Sequence, residues 1–233
     1  MDLSGVTVIL PALNEAAALP TALASFPPQV GLLVVDNGST DQTATVAAAH
    51  GAQVVCEPRR GFGAACWAGA QAARGEVLVF ADADGSLDGA DLPAVAGPVL
   101  AGEADLVVGS RMARREPGAM SALAVLENRL LGLACRLLFG VPLSDLGPFR
   151  AIRREVLLGL GMTDRGSGWP LEMIGRAGQV GLRVVEVPLR YRPRAGGRSK
   201  VSGSVGGTVR AMTAMAAVTL VLLRERRWGK ATG

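Results

Sequence analysis

Five short apolar runs in the first half of the chain leave it little freedom in how to fold. VTVILP (6–11), GLLVVD (31–36), AQVVCE (52–57), EVLVFAD (76–82) and ADLVVGS (104–110) are rich in Val and Leu, and runs of that length read as strands buried on both faces. Between them lie Ala-rich helical segments near 15–25, 40–50, 63–74 and 90–101, the second opened by the cap candidates Ser39 and Thr40. Strand and helix in alternation predict parallel βαβ units in a doubly wound sheet, hence an α/β/α sandwich with a mostly parallel centre. Past Arg111 the pattern changes to a long helix over about 119–139, the stretch SDLGPFRAIRR, a helix around 170–179, a strand at LRVVEVPL, a Gly/Arg/Ser loop and a last helix. No internal repeat and no linker-like break is present, and 233 residues with 49% apolar content suffice for one domain with a sizeable core.

In such a sheet ligands bind at the carboxyl ends of the strands, where Asn14-Glu15, Asp36, Asp82-Asp84 and Arg111 all fall. FADADGS (80–86) puts two carboxylates one residue apart at the end of a buried strand. Asp82 and Asp84 lean to the same side and repel unless a divalent cation or a shared proton lies between them. The alternative is a solvated Asx turn completed by Gly85.

Composition removes several chemistries. His50 is the only histidine, so a metal site built from several histidines is excluded and at most one imidazole is available to catalysis. Cys56, Cys66 and Cys135 are scattered and never spaced as CxxC, which points to a reducing, cytoplasmic compartment without a zinc site. Aromatic residues make up 4% of the chain, too few for a base-stacking platform, so nucleic acid is not expected as a partner. The net charge of +4 conceals a gradient: residues 1–110 carry 3 basic and 12 acidic side chains, 111–189 carry 11 and 7, and 190–230 carry 10 and 1. An acidic front half suits a cation-assisted site, and a basic tail suits phosphate, an anionic membrane or nucleic acid.

PALNE at the first strand end, VVDNGSTDQT at the second, FADADGS at the fourth and GSR at the fifth resemble the family 2 glycosyltransferases of GT-A fold, which are Rossmann-like. SDLGPFRAIRR, WPLEMIGRA and GGRSKVSG are similar to the polyprenyl- or dolichyl-phosphate sugar transferases of that family, and the likeness covers roughly residues 5–205. It implies a metal-dependent, inverting transfer of a hexose from a UDP- or GDP-sugar to a polyprenyl phosphate. Asp82 and Asp84 match the motif that holds Mg²⁺ or Mn²⁺ against the diphosphate, where the dication offsets the charge of the leaving group. Pro11, Asn14, Glu15, Asp36, Asp82 and Ala83 match donor-binding positions. Arg111, Arg129, Arg198, Ser199 and Lys200 fall at or near positions that hold the acceptor phosphate, a task that suits the planar fork of arginine.

A phosphate monoester is already largely anionic at neutral pH and needs no base. A hydroxyl acceptor needs one, and Asp145 and Glu172 are the candidates for that catalytic role beside Asp84. Plainer structural roles stand next to these: Asn14 as a helix cap, Asp41 as a first-turn charge favoured by the helix dipole, Glu172 as a partner of Arg176 one turn on. The chain departs from the family at Asn37, where an Asp is usual and base or ribose contacts are expected to change. It departs again at Ser86, which replaces a larger amide ligand, so a water is expected to complete the metal shell. VLVFADADGS also resembles the signature of haloacid dehalogenase-type phosphatases, yet no Asp-Asp pair and no lysine before Lys200 accompany it. A nucleotidyltransferase would need a Gly-rich loop after the first strand, which PALNEAAALP lacks. A non-catalytic nucleotide sensor with a basic tail is the remaining alternative.

The domain reading is a catalytic unit over 1–204, with a nucleotide-sugar half (1–111) and an acceptor half (112–204), followed by an amphipathic helix and basic tail over 205–233. MDLSG has no basic leader, and AMTAMAAVTLVLL (211–223) is too short to span a bilayer. Val205, Val209, Met212, Ala216, Leu220 and Leu223 at three- or four-residue spacing, flanked by RERRWGK, predict a helix lying on a membrane, peripheral at its inner face. A core helix or a dimer contact fits the same spacing.

Overall fold

The computed structural model describes residues 1–193 and 205–231. The chain order is β1 (Val6–Ala12), α1 (Leu19–Ala24), β2 (Gly31–Asp36), α2 (Thr43–Ala49), β3 (Gln53–Cys56), α3 (Phe62–Ala72), β4 (Val77–Phe80), a 3₁₀ turn, α4 (Leu92–Leu100), β5 (Leu106–Arg115), α5 (Ala122–Phe139), β6 (Arg150–Arg153), α6 (Arg154–Gly159), α7 (Trp169–Gln179), β7 (Val184–Tyr191) and α8 (Val205–Ala231). The seven strands form one sheet in the order β3-β2-β1-β4-β6-β5-β7. Only β6 runs against its neighbours, pairing antiparallel with both β4 and β5.

Period-2 alternation feeds two cores at once. Val8, Leu10, Val34, Val77, Val79 and Val107 point into one layer with α1, α2 and α4. Ile9, Leu33, Val35, Leu78, Phe80, Leu106 and Val108 point into the other with α3, α5 and α7. Strands apolar on both faces are what a sheet covered on both sides demands, and the α/β/α sandwich with its mostly parallel sheet follows.

Two elements lie outside what periodicity predicts. β6 and α6 are both formed by the end of SDLGPFRAIRR and the residues after it; β6 carries the buried Arg150 where an apolar residue would have marked a strand. The α2 cap also differs. Its N-cap is Gln42 without a side-chain cap bond, because Ser39 and Thr40 bond to another loop.

Helix α8 presents two faces. Val218 and Leu222 are buried, and a Cβ on Gly175 of α7 would run into Leu222, so glycine is what lets α8 approach so closely. Gln179 Nε2 donates to the Leu222 carbonyl at 2.8 Å, and Arg176 pairs with Glu225 at 3.2 Å. On the face expected to meet a membrane, Met212 and Leu220 are more than half exposed. Among the described residues no helix is long and apolar enough to cross a membrane. Truncating the buried Leu222 to Ala should cost about 2–4 kcal/mol of stability through the cavity it leaves, measured by denaturant unfolding; an unchanged midpoint would mean that α8 is not part of the folded unit.

Candidate active site

The carboxyl ends of β1 and β2 meet in register, with Ala12 opposite Asp36, and their loops are joined side chain to backbone. Asn14 sits at φ 52°, a left-handed conformation that Asn tolerates. Its amide N–H donates to Ser39 Oγ at 2.9 Å, and its side-chain oxygen accepts from Thr40 N at 2.7 Å. Glu15 N donates to Thr43 Oγ1 at 2.9 Å and Ala16 N to Asp41 Oδ2 at 3.2 Å, while Ser39 N donates to Asp36 Oδ1 at 2.8 Å. PALNE and VVDNGSTDQT therefore form one rigid wall. Asn14 caps no helix, and Asp41 binds the β1 loop as well as standing before α2.

Asn37 is buried and faces the β3–α3 loop. Its Nδ2 donates to the carbonyls of Glu57 and Arg59 at 3.0 and 2.7 Å, and its Oδ1 accepts from Gly61 N at 2.8 Å. An aspartate could not donate either bond, so the side chain that departs from the family pattern holds the β3–α3 loop.

At the end of β4, Asp82 is partly exposed and Asp84 is buried. Asp84 Oδ1 accepts from Ser86 N at 2.9 Å and from Ser86 Oγ at 2.6 Å, so the buried Ser86 orients this carboxylate. Among the described residues no group of three or more His, Cys, Asp and Glu could hold a metal. Two hard oxygen ligands on one side fit Mg²⁺ or Mn²⁺ only if a diphosphate and water fill the remaining positions.

The cationic side is built around Arg111, which follows Ser110 on β5. Its Nε and Nη2 donate to the two oxygens of Asp145, each at 2.7 Å, and its backbone N–H adds a third bond at 2.9 Å. Nη2 also reaches Asn128 Oδ1 at 3.5 Å, and the guanidinium lies 5.4 Å from the centre of the Tyr191 ring. Burial works to lower the guanidinium pKa, but the hydrogen bonds and charge of Asp145, with smaller help from Tyr191 and Asp82, raise it. Arg111 is thus a cation held in place by Asp145. Beside it opens a cleft of about 350 Å³ lined by Ser110, Met112, Ala113 and Arg115 around Arg111, by Arg129 and Ser144 next to Asn128 and Asp145, and by Glu186 and Pro188 of β7. The cleft adjoins the cation rather than the β4 carboxylates. Arg198, Ser199 and Lys200 lie outside the described residues.

Both carboxylates expected as bases are engaged elsewhere. Asp145 is fully buried behind Arg111. Glu172 is buried and accepts from Thr163 N and Oγ1, Asp164 N and Arg176 Nε at 2.7–3.1 Å. The loop it anchors caps α3 in turn, since Gly63 N and Ala64 N donate to the carbonyls of Gly166 and Arg165. Asp145 thus holds Arg111 and Glu172 holds the Thr163–Asp164 stretch, and the bond to Arg176 is the plainer role named for Glu172.

Sequence reasoning missed Arg150. Wholly enclosed, it donates to the carbonyls of Gly147, Pro170 and Leu146 at 2.7, 2.6 and 2.8 Å, and burial brings its pKa down to about 10 against the opposing field of Asp145. The only signal was an arginine inside an otherwise strand-like FRAI.

The description of glycosyl transferase family 2 matches residues 7–160. An uncharacterised glycosyltransferase of Mycobacterium tuberculosis is 49% identical over 88% of this chain and 93% of the relative. The polyprenol monophosphomannose synthase of Mycolicibacterium smegmatis is 36% identical over 84% of this chain and 81% of its own. Among solved structures, glucosyl-3-phosphoglycerate synthase from Mycobacterium tuberculosis, in complex with Mn²⁺ and UDP-glucose, superposes with a TM-score of 0.71 at 30% identity, covering 92% of this chain and 78% of that one. The chain belongs to glycosyl transferase family 2.

Glu172 offers a test of the loop anchor. Burial works to raise its pKa, but the bonds from Thr163, Arg176 and Asp164 prevail and lower it below the ordinary 4.5. A depressed folded pKa gives stability that is present above the unfolded value and lost as pH falls through the folded one. Glu172→Gln should therefore be less stable than wild type at neutral pH, with the gap narrowing below about pH 4.5 in thermal melts; a gap independent of pH would refute an anionic anchor.

Proposed function

We propose that this family 2 glycosyltransferase moves a hexose from a nucleoside diphosphate sugar to the phosphate of a polyprenyl phosphate, at the inner face of a membrane. The observation that carries the reading is the pairing of a carboxylate end, Asp82 and Asp84, with a pre-organised arginine, Arg111, on the same rim of the sheet. Pro11, Asn14, Glu15, Asp36 and Ala83 line the donor side. Asp82 and Asp84 would hold Mg²⁺ or Mn²⁺, which supplies charge neutralisation for the departing diphosphate. The similar structure with Mn²⁺ and UDP-glucose supports a uridine donor and the use of a dication. The similar polyprenol monophosphomannose synthase supports a lipid phosphate acceptor.

Arg111, with Arg129 at the cleft and Arg198, Ser199 and Lys200 from the stretch between β7 and α8, would hold the acceptor phosphate. One of its oxygens attacks the anomeric carbon of the hexose, the bond from that carbon to the diphosphate oxygen breaks, and the configuration inverts. The attacking oxygen is already an anion, so no side chain has to take a proton. Asp145 and Glu172 then act by position, one fixing Arg111 and the other the α6–α7 loop.

A second reading is favoured by the likeness to glucosyl-3-phosphoglycerate synthase, also solved with phosphoglyceric acid: the acceptor would be the hydroxyl of a small phosphorylated acid, bound through the same arginines. One assay separates the two. Purified chain with Mn²⁺ and UDP-glucose or GDP-mannose is offered undecaprenyl phosphate in detergent or 3-phosphoglycerate, and labelled product is sought in the organic or the aqueous phase. The proposal expects organic-phase product, with Asp84→Asn reducing turnover on the order of a hundredfold or more; aqueous product alone supports the second reading, and none from any donor overturns both.

A further inference from the structure

Helix α5 carries apolar side chains on two opposite faces. Gly132, Cys135 and Phe139 are buried against the domain, and Leu131 and Leu138 pack partly onto the same core. Away from it, Leu123, Leu126, Leu130, Leu133 and Leu137 recur every three or four residues and are 52–72% exposed. A scattered exposed leucine is ordinary, but this row runs unbroken for about 21 Å along a helix. The inner face accounts for docking α5 on the sheet; the outer row adds nothing to the fold.

Charge identifies what covers it. Arg129 and Arg136, both exposed, stand two turns apart along one flank of the leucine row, and the exposed Arg114 and Arg115 lie on β5 shortly before α5. An antiparallel two-fold pairing with α5 of a second copy would bring Arg129 and Arg136 against the same residues of the other helix. An anionic lipid surface accepts both features, because its acyl boundary receives leucines while its headgroups meet the arginines. Arg129 also lines the cleft beside Arg111, so the apolar row and the cleft share a residue.

We propose that α5 is a membrane-docking helix, which lays Leu123, Leu126, Leu130, Leu133 and Leu137 into the interfacial layer of an anionic bilayer with Arg129 and Arg136 at headgroup level. It places the main lipid contact on α5, where the sequence pointed to the last helix. Its link to catalysis rests on the lipid phosphate reading above; the binding itself does not. A bilayer seated there would bring headgroup-level phosphates to the mouth of the cleft.

The test is flotation of the full chain with vesicles of phosphatidylcholine alone or mixed with phosphatidylglycerol. Wild type should float with the mixed vesicles, and Leu130→Gln with Leu133→Gln should weaken partitioning on the order of tenfold or more while leaving the circular dichroism and melting curve unchanged. Arg136→Gln, which touches no core, should weaken binding to mixed vesicles only. Wild type that binds no vesicle, or variants that bind as wild type does, would overturn the proposal. So would a dimer in size-exclusion chromatography that the leucine variant dissociates without any vesicle binding, which would assign the row to a second copy. Leucine-dependent flotation with no transfer to undecaprenyl phosphate would uphold docking and remove the acceptor reading instead.

Discussion

The site depends first on the contact between Arg111 and Asp145. A carboxylate with no exposure receives three hydrogen bonds from one residue, so neither partner can be lost without leaving a buried charge uncompensated, which is costly. The pair is held from behind. Glu186 of β7 accepts from Ser144 N and Oγ and from Asp145 N at 2.8–3.1 Å, and Arg150 clasps the Leu146 and Gly147 carbonyls just beyond. Four elements, β5, β7, α5 and the loop before β6, are thereby organised around one cation. Arginine suits the position because its fork engages both Asp145 oxygens while one guanidinium face lies over Tyr191.

The two halves solve opposite electrostatic problems with the same device. In the acidic half, backbone N–H groups and hydroxyls are turned toward Asp36, Asp41 and Asp84, which orients oxygen ligands without neutralising them. In the basic half a carboxylate orients the cation. The proposed transfer takes place between these ends, where the diphosphate of the donor and the phosphate of the acceptor each need a positive neighbour.

Much of the fold was legible because a doubly covered sheet requires uninterrupted Val and Leu runs, and β2 coincides with GLLVVD residue for residue. β6 was hidden because Arg150 occupies an inward position and takes its partners from backbone carbonyls, an arrangement that no periodicity reports. Ser39 and Thr40 looked like helix caps because the same hydroxyl and amide chemistry serves a cap or a cross-loop bond; which one forms depends on Asn14, 25 residues earlier in sequence and adjacent in space. The strand-end carboxylates and Arg111 were visible as types at positions. The i,i+4 spacing showed the Glu172–Arg176 pair, but the bonds from Arg111 to Asp145 and from Thr163 and Asp164 to Glu172 could not be seen, since an acidic residue looks the same in sequence whether it faces a substrate or a neighbouring loop. The two-faced character of α5 escaped for a related reason: a leucine-rich helix reads as core until one face is found to have nothing against it.

The most direct test of the central claim, that Asp145 serves catalysis by holding Arg111 rather than by taking a proton, is the steady-state pH profile of Asp145→Asn with saturating donor and varied acceptor. If Asp145 positions the cation, the acceptor KM rises on the order of tenfold or more, donor binding is retained and the shape of the kcat profile against pH is unchanged. Loss of kcat on the order of a thousandfold at unaltered acceptor KM, with the acidic limb of the profile abolished, would show that Asp145 is a base and that the arginine pairing is secondary.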